Sequence, residues 1–524
     1  MRFPIPCLLP VLLLACRSVP APHSEPKALP ARPNIVFIYS DDHANRAVGA
    51  YGAAYAPTPN IDRLAEQGLR FDRAFCTNSI CAPARAVVLT GKHSHLNGVR
   101  DNEDRFDPAS RTFPKLLQAA GYRTALFGKW HLKSHPTGFD EWQVLDGQGQ
   151  YYQPEFFRPD GAGGVEKVRY DGHATEVTTR LAIDWLEARA GGGDGDSQPF
   201  LLMLQHKAPH RNWMPAPSEL GLFAEGDLPE PATLFDDYAG RATGARDQEM
   251  TIARHMYLDY DLQLPGDPAL ATGPDRWAAG LRDRMAPDER AAWDAFFDPR
   301  NAGVRARIDT NELAGQDLVR WKYQRYLKNY LRCIAGVDRS VGEVLEWLEA
   351  HGLAENTLVI YTSDQGFYLG EHGWYDKRWM YEPSLRFPLV MRWPAAIEPG
   401  RSDGHLVQNL DFAPTLLEVC GAEVPGDMQG QSLVPLLRGE PGIPWRDAIY
   451  YEYFEVGIHN VPPHYGVRTD RYKLIHYPGL DAWELFDLKR DPDELRSRYG
   501  ETGYAKIQGE LVERLQRLRE EVQR

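Results

Sequence analysis

The stretch Cys81-Ala82-Pro83-Ala84-Arg85 runs into apolar residues and closes on Thr90-Gly91. Pro83 suits the first turn of a helix, and Gly91 suits its C-terminal cap. Cys81 then sits at the helix N-terminus, where free amides and the dipole favour an anion. Arg85, four residues on, projects from the same face one turn away. A nucleophile, an anion-binding helix end and a fixed guanidinium are thereby placed together.

Other segments carry matching chemistry. Asp41-Asp42 is a pair of like charges, costly to hold together without a cation, and Asp364-Gln365 adds a carboxylate and an amide oxygen. Such hard oxygens suit calcium or magnesium, whereas zinc would want more His and Cys. In Gly128-Lys129-Trp130-His131, an extended chain points Lys129 and His131 to one side and Trp130 to the other. His210 closes the run Gln205-His206-Lys207-Ala208-Pro209-His210, and Lys377 follows Asp364 in a segment rich in aromatics and Gly. His93, His95, His206 and His372 fit satisfied structural histidines as well as they fit pocket residues.

Four apolar runs deliver these groups. Asn34–Tyr39 ends in Ser40-Asp41-Asp42, Tyr122–Phe127 in Gly128-Lys129, Phe200–Leu204 in Gln205-His206, and Thr357–Thr362 in Ser363-Asp364. Continuous apolar runs of this length suit strands buried on both faces. Helical patterns lie between them, at 59–68, 111–120, 174–190 and 317–351. The alternation predicts an α/β sheet, and ligands of such sheets sit beyond the carboxyl ends of the strands. Residues 211–316, rich in Pro, Asp, Arg and aromatics, read as a partly helical insertion near the site. Gly191–Asp196 reads as a flexible surface loop. From about residue 439 the texture changes: strands at 448–454 and 472–477 and an amphipathic helix at 503–523 predict a smaller α+β subdomain reaching residue 524.

The chain has 524 residues, 43% of them hydrophobic, with 59 Lys and Arg against 73 Asp and Glu, a net charge of −14. This can bury a large core, and it argues against a nucleic-acid partner, which would want a basic face. A mean hydropathy of −0.48 excludes a multi-span membrane protein. Residues 1–16 combine Arg2 with an apolar run too short to span a bilayer, as in an export signal. The run ends Leu13-Leu14-Ala15-Cys16, similar to a bacterial lipoprotein box. Acylation of Cys16 would leave 17–31 as a tether and make a lipid the only membrane contact, in the periplasm or cell envelope. Cys76, Cys81, Cys333 and Cys420 then remain, too few for a disulfide framework but enough for one pair.

The Cys-x-Pro-x-Arg motif with its Thr-Gly close, together with Gly128-Lys129-Trp130-His131, resembles the type I sulfatase family, from Asn34 to about Asp491. The resemblance implies an alkaline-phosphatase-like large mixed sheet flanked by helices, spanning 32–438, with the smaller subdomain at 439–524. It also implies that a formylglycine-generating enzyme converts Cys81 to formylglycine, whose hydrated aldehyde attacks sulfur. Ala84 departs from the Ser usual in the family. Calcium, or magnesium, would be held by Asp41, Asp42, Asp364, Gln365 and residue 81. Arg85, Lys129, His210 and Lys377 would bind sulfate, with Lys377 matched thirteen residues after Asp364. His131 would serve as base, and His210 or Lys377 as acid.

The segments 206–213, 363–378 and 464–469 look like those of bacterial glycosaminoglycan sulfatases, particularly N-acetylglucosamine-6-sulfatases of heparan or mucin glycans. Trp213, Arg378, His459, His464 and Tyr465 are the expected sugar contacts. Iduronate-2-type or other carbohydrate sulfatases, and phosphonate or phosphodiester hydrolases, are alternatives on the same fold. A non-catalytic glycan-binding lipoprotein would be expected to have lost some of the six catalytic candidates, and none is missing.

Overall fold

A computed structural model describes Pro30, residues 32–190 and residues 198–523. The expected signal 1–16, nearly all of the tether and the Gly191–Asp196 loop lie outside the described residues. The main sheet contains β1 (Asn34–Ser40), β2 (Leu69–Phe75), β3 (Arg123–Gly128), β4 (Glu141–Leu145), β5 (Glu155–Pro159) and β6 (Val165–Arg169). It is completed by β7 (Phe200–Gln205), β8 (Thr357–Ser363), β9 (Arg386–Arg392), β10 (Arg401–Asp403) and β11 (Val407–Gln408). Their order is β10-β2-β9-β8-β1-β7-β3-β4-β5-β6, with β11 also beside β2.

The four apolar runs of the sequence are the central strands β8, β1, β7 and β3, all mutually parallel. They are apolar on both faces because both faces are covered. Along β1, Ile35, Phe37 and Tyr39 enter one core and Val36 and Ile38 the other, the period-two alternation of a strand. Helices Pro59–Glu66, Ala174–Ala190 and the 36-residue Gly315–Ala350 pack into the second core; Cys81–Thr90, Phe113–Ala119 and Phe412–Val419 pack into the first. The antiparallel margins escape the sequence reading. β6 is Val-Glu-Lys-Val-Arg and largely exposed, so it carries no apolar run; it is held by backbone pairing with β5.

A second, antiparallel sheet follows: β12 (Ala448–Tyr453), β13 (His464–Thr469), β14 (Tyr472–Tyr477) and β15 (Ala482–Asp487). Leu511 and Leu515 of helix Ala505–Val522 close its outer face against Tyr450, Val467, Leu474 and Leu485. Burying one such leucine is worth about 1.5–3 kcal/mol. Residues 211–316 contain helices Asp275–Arg282 and Pro287–Asn301 among irregular chain. They reach the 370s through the Tyr238 hydroxyl, which donates to the His372 carbonyl, and through a bridge between Thr251 and Trp374. Cys76, Cys81, Cys333 and Cys420 are buried and unpaired, so the single disulfide that their number permits is not formed. Among the described residues no helix is long and apolar enough to cross a membrane.

Candidate active site

Strand register builds the site. β1 and β8 pair so that Ser40 opposes Ser363, and the next residues on each strand, Asp41 and Asp364, emerge side by side. The Asp364 amide donates to the Ser40 carbonyl (3.3 Å) and the Asp42 amide to Asp364 Oδ1 (3.0 Å). Asp42 has φ +67°, a turn that brings both neighbouring carboxylates to one place. Carboxylate oxygens of Asp41, Asp42 and Asp364 lie within 4.8 Å of one another, all buried. Burial and the Asp41 charge push the Asp364 carboxyl well above the usual carboxylate range.

Three cations answer the three carboxylates. Arg85 Nη2 stands 3.3 Å from Asp364 Oδ2 and 3.5 Å from Asp41 Oδ1. Its Nη1 donates to the Lys129 carbonyl (2.7 Å) and to Gln205 Oε1 (2.8 Å), and its guanidinium lies 5.0 Å from the Tyr39 ring centre. Lys129, just beyond β3, pairs with Asp41, and Lys377 Nζ donates to Asp42 Oδ2 at 2.7 Å. Asp42 and other acidic neighbours hold Lys377 well above its ordinary value against the opposing effect of burial. With all three carboxylates ionised, as a bound divalent cation would keep them, the six charges cancel and the cation would leave an excess of two positive charges for an anion. Two buried acceptors, Asp41 Oδ1 and Gln365 Oε1, have no hydrogen-bond partner among the described residues. Orphaned acceptors at crowded hard carboxylates fit a divalent cation.

Cys81 is the first residue of helix Cys81–Thr90, capped by Gly91 at φ +64°. Its sulfur shares the cluster with Asp41 and His210. Burial, then Asp41, pushes the thiol far up, so the expected anion-favouring helix end does not make a thiolate here. A thiol so held is a poor nucleophile in its own right.

The surroundings of two histidines favour their neutral form. His210 follows β7; its Nδ1 hydrogen donates to the Arg211 carbonyl, and its Nε2 stands 3.8 Å from Asp42 Oδ2. Tyr151 donates to its carbonyl at 2.7 Å. Burial, followed by Lys129, pushes its pKa well down. His131 is lowered by the same two causes, and its Nδ1 has no partner among the described residues. The chain is not extended through this motif as the sequence suggests: His131 turns at φ +54°, while Trp130 enters the core.

Beside Lys377 lies a polar rim. Asp376 accepts from Arg378 Nη1 (3.0 Å) and pairs with His459 Nε2 (3.1 Å), while Arg378 Nε stands 3.4 Å from Glu455. The side chains of His210 and His459 are 15% and 16% exposed while those of Asp41, Asp42 and Asp364 are at 0%, so the cluster opens on this side. Three expected sugar contacts lie elsewhere. Trp213 is wholly buried among Tyr326, Tyr330 and Phe367. His464 is 1% exposed, stacked between Trp379 and Tyr451, and its Nε2 accepts from the Met380 amide. Tyr465 faces the other side of β13 and bonds to His476 and Arg519. Residue type and nearness to the motifs suggest sugar contacts at these three, and packing claims them instead. Four groups of this region escape a reading of motifs: Gln205, Tyr39, Asp376 and Glu455. Gln205, Tyr39 and Asp376 sit inside the quoted runs, whereas Glu455 carries no local signal.

The profile of the sulfatase family matches residues 33–422, and that of the N-sulphoglucosamine sulphohydrolase C-terminal region matches 370–521. The chain belongs to the sulfatase family, hydrolases of sulfate esters. It is 45% identical over 520 residues to an N-acetylglucosamine-6-O-sulfatase of Bacteroides thetaiotaomicron, covering 98% of this chain and 90% of that one. A solved structure of a protein in complex with its substrate D-glucosamine-2-N,6-O-disulfate superposes with a TM-score of 0.88 at 44% identity, covering 94% of this chain and 98% of that one. The human N-acetylglucosamine-6-sulfatase is 25% identical over 448 residues, 80% of this chain and 67% of its own length. The mixed sheet flanked by helices is thus the fold that the resemblance implied.

Proposed function

We propose that this sulfatase removes the 6-O-sulfate from glucosamine residues, N-acetylated or N-sulfated, of a glycosaminoglycan or mucin glycan. The observation that carries the reading is the 45% identity to the Bacteroides 6-O-sulfatase along 98% of the chain. The complete cluster of Cys81, Arg85, Lys129, His131, His210 and Lys377 supports it.

Arg85, Lys129 and Lys377 neutralise the bound sulfate oxygens in a buried site where fixed charges act strongly. Asp41, Asp42, Asp364, Gln365 and residue 81 would hold calcium, or magnesium; when bound, such a cation polarises oxygen as a Lewis acid. Conversion of Cys81 to formylglycine, by a formylglycine-generating enzyme, would supply the nucleophile that the thiol itself does not. His131, neutral and unpartnered at Nδ1, takes a proton at that atom. His210 donates Nδ1–H to Arg211, so its Nε2 takes up a proton from solvent before it delivers one to the departing sugar oxygen. Burial, then Lys129, disfavours the protonated ring, and the negative charge of the entering sulfate offsets the cationic part of that effect so that the proton can be taken up. Lys377, bound to Asp42, remains the sulfate clamp. Asp376, Arg378 and His459 contact sugar hydroxyls at the rim. Trp213, His464 and Tyr465 support the walls. Export as a periplasmic or cell-envelope lipoprotein, anchored through Cys16, accords with such a substrate.

Sulfate release from a panel of sulfated monosaccharides and disaccharides tests the reading. Preference for glucosamine 6-sulfates is expected. Faster release from an iduronate 2-sulfate or from a phosphonate ester would overturn it.

A further inference from the structure

Away from the catalytic cluster, the chain builds a cavity of about 260 Å³ lined by Phe296, Arg300, Trp321, Arg325, Lys328 and Arg332. Trp321, Arg325, Lys328 and Arg332 follow one another at helical spacing along Gly315–Ala350. They face roughly away from Tyr326 and Tyr330, which pack toward the catalytic side. Arg300 and Phe296 come from helix Pro287–Asn301.

The four cations have no carboxylate partner within ion-pair distance among the described residues; Asp227 is the one acid in the lining. Arg325 and Arg332 are nonetheless buried, at 9% and 3% exposure. Burial and mutual repulsion push both guanidinium groups down to about 10, with Arg300 acting on each. Partial compensation comes from rings and neutral acceptors. Arg300 and Arg332 lie 3.9 and 4.8 Å from the Phe296 ring centre, and Arg325 lies 5.4 Å from that of Trp321. Arg325 Nη2 donates to Asn301 Oδ1 (2.7 Å) and Arg332 Nε to the Leu222 carbonyl (2.8 Å). Among the described residues Arg325 hydrogen-bonds only through Nη2 and Arg300 only through Nη1, to the Phe296 carbonyl. Fork donors therefore remain free in the cavity. In a chain of net charge −14, like charges so gathered are costly unless an anion joins them.

We propose that this cavity is a second, non-catalytic anion site that takes a sulfate group, either as the free ion or carried on a sulfated glycan. Guanidinium forks match the planar pairs of oxygens that a sulfate presents. The aromatic walls keep those forks oriented and exclude water from one side. This binding needs no turnover, so it stands or falls separately from the reading of the catalytic cluster.

Calorimetric titration of the parent protein and of the R300E/K328E variant decides it, with sodium sulfate in one arm and a sulfated heparan-type hexasaccharide in the other. Circular dichroism and turnover of a glucosamine 6-sulfate monosaccharide, expected within twofold of the parent, report that the variant is folded. Should it fail to fold, Arg300→Ala, at an exposed position, replaces it. The parent is expected to bind one more equivalent than the variant. Loss of that equivalent in the sulfate arm identifies the free ion; loss in the hexasaccharide arm alone identifies a glycan-borne group. Equal stoichiometry and Kd for parent and variant in both arms would overturn the proposal. So would equally tight binding of a single-stranded DNA oligonucleotide at the same cavity, which would mark a general polyanion patch.

Discussion

Replacing Lys377 with Ala separates its two duties. The amine stands 2.7 Å from Asp42 Oδ2, and both side chains are buried at 4% and 0% exposure. At an effective dielectric constant of about 20, charges this close attract by about 6 kcal/mol before desolvation is counted. Removal leaves a buried carboxylate whose next ring neighbour is His210 Nε2 at 3.8 Å, and an uncharged imidazole does little for it. Breaking a buried pair in this way costs about 3–5 kcal/mol. A divalent cation on Asp42 repays much of that cost, because a ligand bound by the native state alone stabilises it. The variant should therefore melt well below the parent in EDTA and much closer to it in excess calcium. Turnover has no such rescue: loss of one charged group on the sulfate should lower kcat/KM by about 10²–10³, on a sulfated glucosamine and on a small aryl sulfate alike. Thermal melting in both buffers and sulfate release from both esters measure this. A variant that keeps more than a tenth of parental kcat/KM on either ester, or whose melting deficit is the same with and without calcium, would refute the reasoning.

Three further outcomes are expected. Mass spectrometry of protein made with an active formylglycine-generating enzyme should find the peptide carrying residue 81 lighter by the difference between a thiol and an aldehyde; full activity with only unmodified Cys81 would count against it. Arg378→Ala and His459→Ala should lower kcat/KM on the sulfated sugar at least tenfold more than on the aryl sulfate, whereas His464→Ala should lower thermal stability and favour neither ester. Burial holds His464 at about 4 and His206 at about 3, below the ordinary 6.5. Protons then bind the unfolded chain first, so the stability that these residues contribute is complete above about pH 6.5 and falls as the pH drops toward 4, by up to about 3 kcal/mol each. Urea midpoints between pH 7.5 and 4.5 should decline, and His206→Gln should make the decline shallower; an unchanged slope would contradict the assignment.

The central strands were legible because burial on both faces writes itself as continuous apolar runs, and the polar residues after each run marked the strand ends. The cluster was legible for the same reason: most members are motif residues just beyond β1, β3, β7 or β8 or in the first half of helix Cys81–Thr90, while Lys377 comes from the segment that follows β8. What failed had a different physical cause. β6 is exposed and polar, so pairing geometry alone defines it. Trp213 and His464 look like ligand contacts by residue type, yet tertiary packing buries them. Glu455 joins Arg378 across 77 positions of chain, and no local pattern records such a meeting. The thiol of Cys81 shows the same limit: its helix end predicts an anion, and the burial that reverses the prediction is a property of the whole fold.

The pairing of β1 with β8 sets a timetable for the molecule. Asp41 and Asp364 are 323 positions apart, and Cys81 lies between them with no exposed surface. An enzyme that converted Cys81 to formylglycine would therefore have to reach it before the late strand β8 docks beside β1. Once that strand is seated, an unmodified thiol is sealed in. Two populations would follow from one gene product, one matured and one permanently silent, in a ratio fixed by the race between modification and folding. Slowing the arrival of β8 should raise the active fraction without changing a single residue of the catalytic cluster.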